Sequence, residues 1–517
     1  MFLTERTEDT EEKMRNKNSV NSVGSVREDG MSEMLPEGWL ITTLGNVSTH
    51  PQYGWTCSSN QNGKIKLLRT TDISNGTINW NRVPYCSKEP DHIEKYLLRE
   101  NDILVSRAGS VGISYRISKM DLQNRTVFAS YLIRFCPFVP ASFIEHYLKS
   151  HRYWQFISNS QLGIAVPNVN ATKLSELPVP LPPINEQKRI VAKLDAIIPR
   201  IDSVKARLDK VPILIKRFRQ SVLTAAVTGK MTEKWREEHP DVESAEVLLE
   251  RIHRERKSEK TKNKYSFKIT SELDNRYIDF EVPLGWIKTN VDTISLYIVD
   301  CPHSTPKWSD SGKVCLRTTN FLPNKLIIDE ARYVSQSTFE KRIERLKPQK
   351  NDVLYSREGG ILGVACLLDI EDDVCLGQRM MMFRTGEFVS SKYLTFFLNS
   401  PLILSHVDNL IGGSAAPHIN IRDIKKYLFP LPPLEEQKEI VRQVDKLFAL
   451  ADKLETHYQN AKGRIDKLSQ SVLTKAFRGE LVPQDPNDEP AEKLLERIME
   501  EKARLSRSTQ RPRRKTN

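Results

Sequence analysis

The chain has 517 residues, 39% of them hydrophobic and 28% charged, a composition that suits a globular protein with room for roughly two to four domains. Its formal net charge of +12 points to a polyanionic partner, nucleic acid first among them. No stretch reaches the ~18 apolar residues of a membrane span, the N-terminus is charged from Glu5 onward with no apolar signal core, and seven widely spaced cysteines without a Cys-x-x-Cys exclude a disulfide framework and a zinc finger, so the reading is a cytoplasmic protein with reduced thiols.

In chain order, residues 1–33 are polar and expected to form a disordered extension. Residues 34–180 alternate β-rich runs (65–68, 103–105, 127–133) with turn signals and a helical stretch at 143–156, which predicts a mixed α/β or α+β globular domain. Residues 181–230 form a helical region. Its apolar positions Ile190, Leu194, Ile197, Ile201, Val204, Leu208, Val211, Ile215, Phe218 and Val222 keep a 4-3-4-3 spacing, and Pro199 and Pro212 within it predict kinks or a break. A polar linker with a short helix follows at 231–281, then a second globular domain at 282–430 with a helix at Ser391–Leu398. The second helical region, 431–480, carries Ile440, Val444, Leu447, Ala451, Leu454, Tyr458, Ala461, Ile465, Leu468 and Val472 in the same register. A helix over about 435–477 would be roughly 65 Å long at 1.5 Å per residue. Glu435 and Glu436 stand in its first turn and Gly479 follows its end, as Gly229 follows the first helix. Residues 481–517 hold a short helix and a basic tail at 504–515.

This order is a tandem repeat. Leu35-Pro36-Glu37-Gly38-Trp39 returns as Val282-Pro283-Leu284-Gly285-Trp286, and Leu68-Arg69-Thr70-Thr71 as Leu316-Arg317-Thr318-Thr319. Asn101-Asp102 with Ser106-Arg107 returns as Asn351-Asp352 with Ser356-Arg357, and Pro167 and Asn170 as Pro417 and Asn420. Pro180-Leu181-Pro182-Pro183 with Glu186-Gln187-Lys188 recurs at Pro430-Leu431-Pro432-Pro433 with Glu436-Gln437-Lys438, and Gln220-Ser221-Val222-Leu223-Thr224 at Gln470-Ser471-Val472-Leu473-Thr474. Two halves this long are not a solenoid. The globular blocks share only short anchors while the helices agree densely, as expected of one framework that reads two different things. The two helices are natural antiparallel coiled-coil partners. That pairing would give a pseudo-two-fold axis with the blocks at opposite ends; a coil used only for oligomerisation is the alternative.

Arg69 and Arg107, with Arg317 and Arg357, sit at predicted strand ends beside Thr71, Thr319 and glycine-bearing loops that include Ser110. Arginine offers paired donors to guanine edges or phosphates. With Asn168 and Asn420 they are the candidate DNA-contacting residues. The competing assignment makes the shared Arg and Asp residues structural, for instance as ion pairs closing strand ends. No phosphate loop, His-Glu-x-x-His, dinucleotide fingerprint, nucleophile elbow or Asn/Asp-Pro-Pro-aromatic motif occurs, and a degenerate nuclease-like pattern, Pro240-Asp241 with Glu255-x-Lys257, lacks a strand to carry it. No catalytic or metal-binding residue is assigned.

The Leu-Pro-x-Gly-Trp openings, the Pro-Leu-Pro-Pro-x-x-Glu-Gln entries to the helices, and the segments Lys216–Leu223 with Gly229–Arg236 and Ala476–Leu481 resemble Type I restriction-modification specificity subunits, in particular the enteric K-type branch. The resemblance covers about residues 34–505. It implies two target recognition domains, each reading half of a bipartite DNA site, and helices that set the gap and dock two modification subunits. Two restriction subunits would complete the complex. It also implies no cofactor in this chain, with S-adenosylmethionine, ATP and magnesium belonging to partners. Met31 and Met34 lie near where such a chain would start, so residues 1–33 are expected to be an extension or an over-long start.

Overall fold

A computed structural model describes residues 35–74, 76–160, 168–262, 280–359, 361–411 and 417–509. The expected extension at 1–33, Met34, Pro167, a third of the linker (263–279) and the end of the basic tail (510–517) lie outside the described residues. The chain forms two compact units. One joins residues up to Lys205 with those from Gly463 onward, and the other is Ala206–Lys462.

The first unit is built on two four-stranded sheets. One is antiparallel, in the order Gln52–Tyr53, Leu132–Phe135, Ile103–Ser106, Ser114–Arg116. The other runs Ser59–Asn60, Tyr85–Cys86, Lys66–Leu68, Thr126–Phe128, its last pair parallel. The strand Ile103–Ser106 is buried along its whole length because both faces are covered: Ile103 and Val105 join the main core, and Leu104 packs with Leu68, Phe128 and Leu132. An unbroken apolar run reads that way. The second unit repeats the plan with Ser295–Asp300, Met380–Thr385, Val353–Ser356 and Ala365–Leu367 in one sheet, and Trp308–Ser309, Arg332–Val334, Lys313–Leu316 and Val374–Leu376 in the other.

The expected single run at 127–133 is split. Thr126–Phe128 belongs to one sheet and Leu132–Phe135 to the other, with 129–131 crossing between them. The stretch predicted as one helix at 143–156 is two, Ala141–Tyr147 and His151–Ser160.

The repeated motifs join block to helix. Trp39 N–H bonds to Pro36 O at 3.2 Å and Trp286 N–H to Pro283 O at 3.1 Å, with Gly38 and Gly285 at φ 80° and 87°. This is the turn that demands glycine at its third residue. It aims each indole at a buried carboxylate in the first turn of the helix: Trp39 Nε1 donates to Glu186 at 2.9 Å, and Trp286 Nε1 to Glu436 at 2.7 Å. Gln187 and Gln437 donate back to Pro182 O and Pro432 O.

The first helical copy comprises α1, Ile184–Leu208, and α2, Val211–Val227. The break falls at Asp209–Lys210, with Pro212 in the opening turn of α2, where a missing N–H costs nothing. Of the kinks or break expected at the two prolines, no break falls at Pro199, for α1 continues through it. After α3, Ala245–Lys262, and the second block, α4 spans Leu434–Ala476 in 43 residues, close to the predicted range, and α5 covers Ala491–Thr509.

Within each unit the pairing is antiparallel. In the first, Ile190 and Leu194 pack with Leu473, Ala476 and Phe477, while Lys205 lies 2.9 Å from Asp466. In the second, Val222 and Ala226 pack with Ile440 and Val444, and Arg219 reaches Asp452 at 2.5 Å. Ile190, Leu194, Ile201, Ile440 and Val444 are buried, and Ile197 and Leu447 half-buried. Leu454 departs from the expected seam at 47% exposure. A two-helix seam shields only one side of a residue, and full burial comes where a globular block adds a third layer, as at Ile190 and Ile440.

Candidate nucleic-acid interface

The paired anchors fall into two kinds. Asn101 and Asn351 adopt left-handed backbone, φ 69° and 73°, and hand the chain to Asp102 and Asp352. Asp102 accepts Arg99 N–H at 2.9 Å and Arg134 Nη1 at 3.2 Å; Asp352 accepts Gln349 N–H at 2.8 Å and both Nε and Nη2 of Arg384 at 2.7 Å. These pairs tie neighbouring strands and are structural.

Arg69 and Arg317 each precede a short helical turn. The Arg69 N–H bonds to Asp72 at 2.9 Å, and its guanidinium grips the same carboxylate at 3.0 and 2.9 Å. The Arg317 N–H bonds to Asn320 Oδ1 at 2.8 Å, and its Nη2 reaches Glu330 O at 3.3 Å. Thr71 and Thr319 stand exposed in these turns.

Arg107 and Arg357 lie at the ends of the central strands, and their settings differ. The Arg107 guanidinium carbon lies over the Tyr53 ring, 4.9 Å from its centre, and Nε reaches Asn168 Oδ1 at 3.4 Å. No carboxylate pairs with it among the described residues. Ser110, on the exposed loop beyond it, follows Gly109 at φ 76°. Arg357, 6% exposed, is held through all three of its nitrogens: Nε and Nη2 bond to Asp300 at 2.9 and 3.0 Å, Nη2 also to Glu358 at 2.8 Å, and Nη1 to Ile419 O at 3.2 Å. Burial disfavours its cation, but the bonded Asp300 carboxylate more than offsets this and its pKa stands above the usual value. Asn420 is exposed at the start of the helix Ile421–Lys425 and makes no side-chain cap, whereas its repeat partner Asn170 accepts Lys173 N–H at 2.8 Å.

The structure therefore gathers Arg107 with Asn168, and places Arg357 against the segment that ends at Asn420. Between the Arg69 and Arg107 strand ends lies the crossing loop: Ala129 N–H bonds to Leu68 O at 2.9 Å and Arg107 N–H to Tyr131 O at 2.9 Å. The second block does the same, with Gly377 N–H on Leu316 O at 2.7 Å and Arg357 N–H on Arg379 O at 3.1 Å. Tyr131, 60% exposed, and exposed Arg379 occupy the equivalent tip. Reading the sequence alone missed Tyr53, Tyr131, Arg379 and Asp300. A tyrosine inside an apolar run is no signal of exposure, and nothing near Asp300 in sequence announces its partner 57 residues on.

Glu255 of the nuclease-like pattern lies within α3, and its Oε1 accepts Glu387 N–H at 2.9 Å. Among the described residues no cluster of metal-ligating side chains occurs and no helix is long and apolar enough to cross a membrane.

Two blocks of identical sheet order, each tied to a helix through a Trp–Glu bond, with arginines at the sheet junctions, define a class. The model of the Type I restriction modification DNA specificity domain matches residues 36–212 and 304–461, and the chain belongs to that family of specificity subunits. It is 29% identical over 491 residues to the specificity subunit of the Type I restriction enzyme EcoKI from Escherichia coli (strain K12), spanning 91% of this chain and 96% of that one. The StySPI specificity subunit of Salmonella potsdam is 28% identical over 495 residues, covering 91% and 96%. Among solved structures, a chain described under "Structural basis underlying complex assembly and conformational transition of the type I R-M system" matches with TM-score 0.60 at 18% identity, covering 86% of this chain and 99% of the other. The HsdS subunit from Thermoanaerobacter tengcongensis gives TM-score 0.50, also at 18% identity, covering 86% and 98%. Both share the fold.

Proposed function

We propose that this chain is the non-catalytic DNA-reading subunit of a Type I restriction-modification complex, each block contacting one half of a bipartite target in double-stranded DNA. The observation that carries this reading is the pair of sheet junctions, alike in backbone and different in side chains: Arg107 with Tyr53 and Tyr131 in one, Arg379 and a neutralised Arg357 in the other. One frame with two reading edges suits an asymmetric two-part site. The helices set the gap between half-sites and dock two modification subunits, and two restriction subunits complete the assembly. S-adenosylmethionine, ATP and magnesium are bound by those partners, and the complex works in the cytoplasm. Adenine-methylation mapping of genomic DNA from cells expressing this chain with its cognate modification subunit tests the reading. A two-part motif with a fixed gap is expected. A continuous motif, or no new methylation from an intact complex, would replace it with a scaffold or an orphan binder.

A further inference from the structure

We propose that Arg379 is the specificity-determining cation of the second block, contacting a guanine edge in its half-site, so that the two blocks place their reading arginine at different positions of the same frame. The inference rests on the proposed function and goes on to name the residue that reads.

The repeat aligns Arg107 with Arg357, yet only the first can read. Both terminal nitrogens of Arg107 are without a partner among the described residues, and its Cζ lies over the Tyr53 ring. Arg357 is committed through all three nitrogens, to Asp300, Glu358 and Ile419 O, with His303 Nε2 3.4 Å from Nη2. Its charge is cancelled and its side chain buried. Withdrawing it would strip the Asp300 carboxylate of the guanidinium that bonds both of its oxygens.

Arg379 supplies what that junction lacks. It is exposed, and no carboxylate pairs with it among the described residues. Its backbone is fixed in the left-handed region at φ 71°, a conformation that non-glycine residues adopt rarely and that collects at functional sites. The bonds from Arg357 N–H to Arg379 O and from Gly377 N–H to Leu316 O pin the loop on both sides. The side chain passes over Gly359, itself at φ 91°, where a Cβ would sit 3.4 Å from Nη1. Beside it the Gln378 amide is oriented by Thr305, whose hydroxyl donates to Oε1 at 3.0 Å. A phosphate contact needs only a flexible cation on the surface; a planar fork on a pinned backbone suits the paired O6 and N7 acceptors of guanine.

Full-length chain carrying R379K or R379N, purified with its modification subunit to verify the complex, would be compared with wild type by methyladenine mapping. Asn tolerates the left-handed backbone and Lys keeps the charge, so the pair separates folding from reading. Both variants are expected to relax discrimination at one base pair of one half-site by roughly 10- to 100-fold, leaving the other half-site and the gap unchanged. An unaltered motif in both variants overturns the proposal. So does a normal R379K beside an R379N that is uniformly weaker, since that pattern marks a phosphate contact, and so does an intact R379K complex with no methylation. A wild-type complex that gives no two-part motif sinks the proposed function itself, an outcome distinct from the other three.

Discussion

Buried carboxylates in the first turn of each long helix are the residues on which block and helix are joined, and the two copies are stabilised differently. Glu436, fully buried, meets the cation of Arg236 at 2.5 Å as well as Thr232 at 2.6 Å and Trp286. Among the described residues Glu186 has only neutral donors within bonding distance, Trp39 and Gln484 at 3.2 Å, and burial pushes its carboxyl above the ordinary 4.5 in spite of them. Between that value and the raised native one, the folded state holds a proton that the unfolded chain releases. The first unit therefore loses stability as pH rises through this window, and E186Q should flatten that dependence, read as amide exchange in α1 peptides across the range. A slope equal to that of wild type would show that the carboxyl does not titrate there. E436Q should instead cost the second unit about 1.5–3 kcal/mol, because a hydrogen bond to a charged group is lost and Arg236 is left without its carboxylate. Exchange in α4 peptides that matched wild type would contradict it. Peptide-resolved exchange is the right measurement, since two units need not unfold in one step.

Among the elements, α1 carries a proline that its pattern flags as a breaker. Pro199 is exposed and sits in continuous helix, so the chain bears the cost of a missing hydrogen bond and a ring clash there. P199A should stabilise the first unit by about 1–3 kcal/mol, with slower exchange along α1; unchanged exchange would mean the helix already frays at that turn. On the proposed reading, the crossing loop is the other element whose form bears on DNA contact. Gly54 packs directly on it: a Cβ there would lie 2.2 Å from Phe128 O and 2.3 Å from Ala129 O. G54A should displace 129–131, and with it Tyr131 and the Arg107 anchor. The first half of the methylation motif should weaken while exchange in the second unit stays as in wild type. An intact motif would show that the loop adapts.

At the scale of the whole molecule, a net charge of +12 gives the chain a field that attracts a polyanion but names no sequence. If the two blocks and their helices follow a duplex through several phosphate contacts, affinity should fall steeply with salt. A slope of log affinity against log salt near −5 or steeper corresponds to about six contacts or more. A slope near zero would separate the charge from the function and favour the scaffold.

Much of this plan was legible in the linear chain. The repeat, the apolar seam from Ile190 and from Ile440, the end of α4 and the Pro-x-Gly-Trp turns are signals carried by residues a few positions apart, where periodicity and backbone preference act. Family membership follows from the same short motifs. The fate of each matched arginine was not legible. Arg107 and Arg357 read alike in sequence, and what separates them is Asp300, 57 residues away, and Tyr53, in a different strand. The split of 127–133 between two sheets, and the exposure of Tyr131 and Arg379 at the junction, likewise depend on which strands pair. Local sequence sets periodicity, caps and turns; the partner of a charged side chain, and so whether it is spent inside the fold or left to bind, is set by contacts that exist only once distant strands have come together.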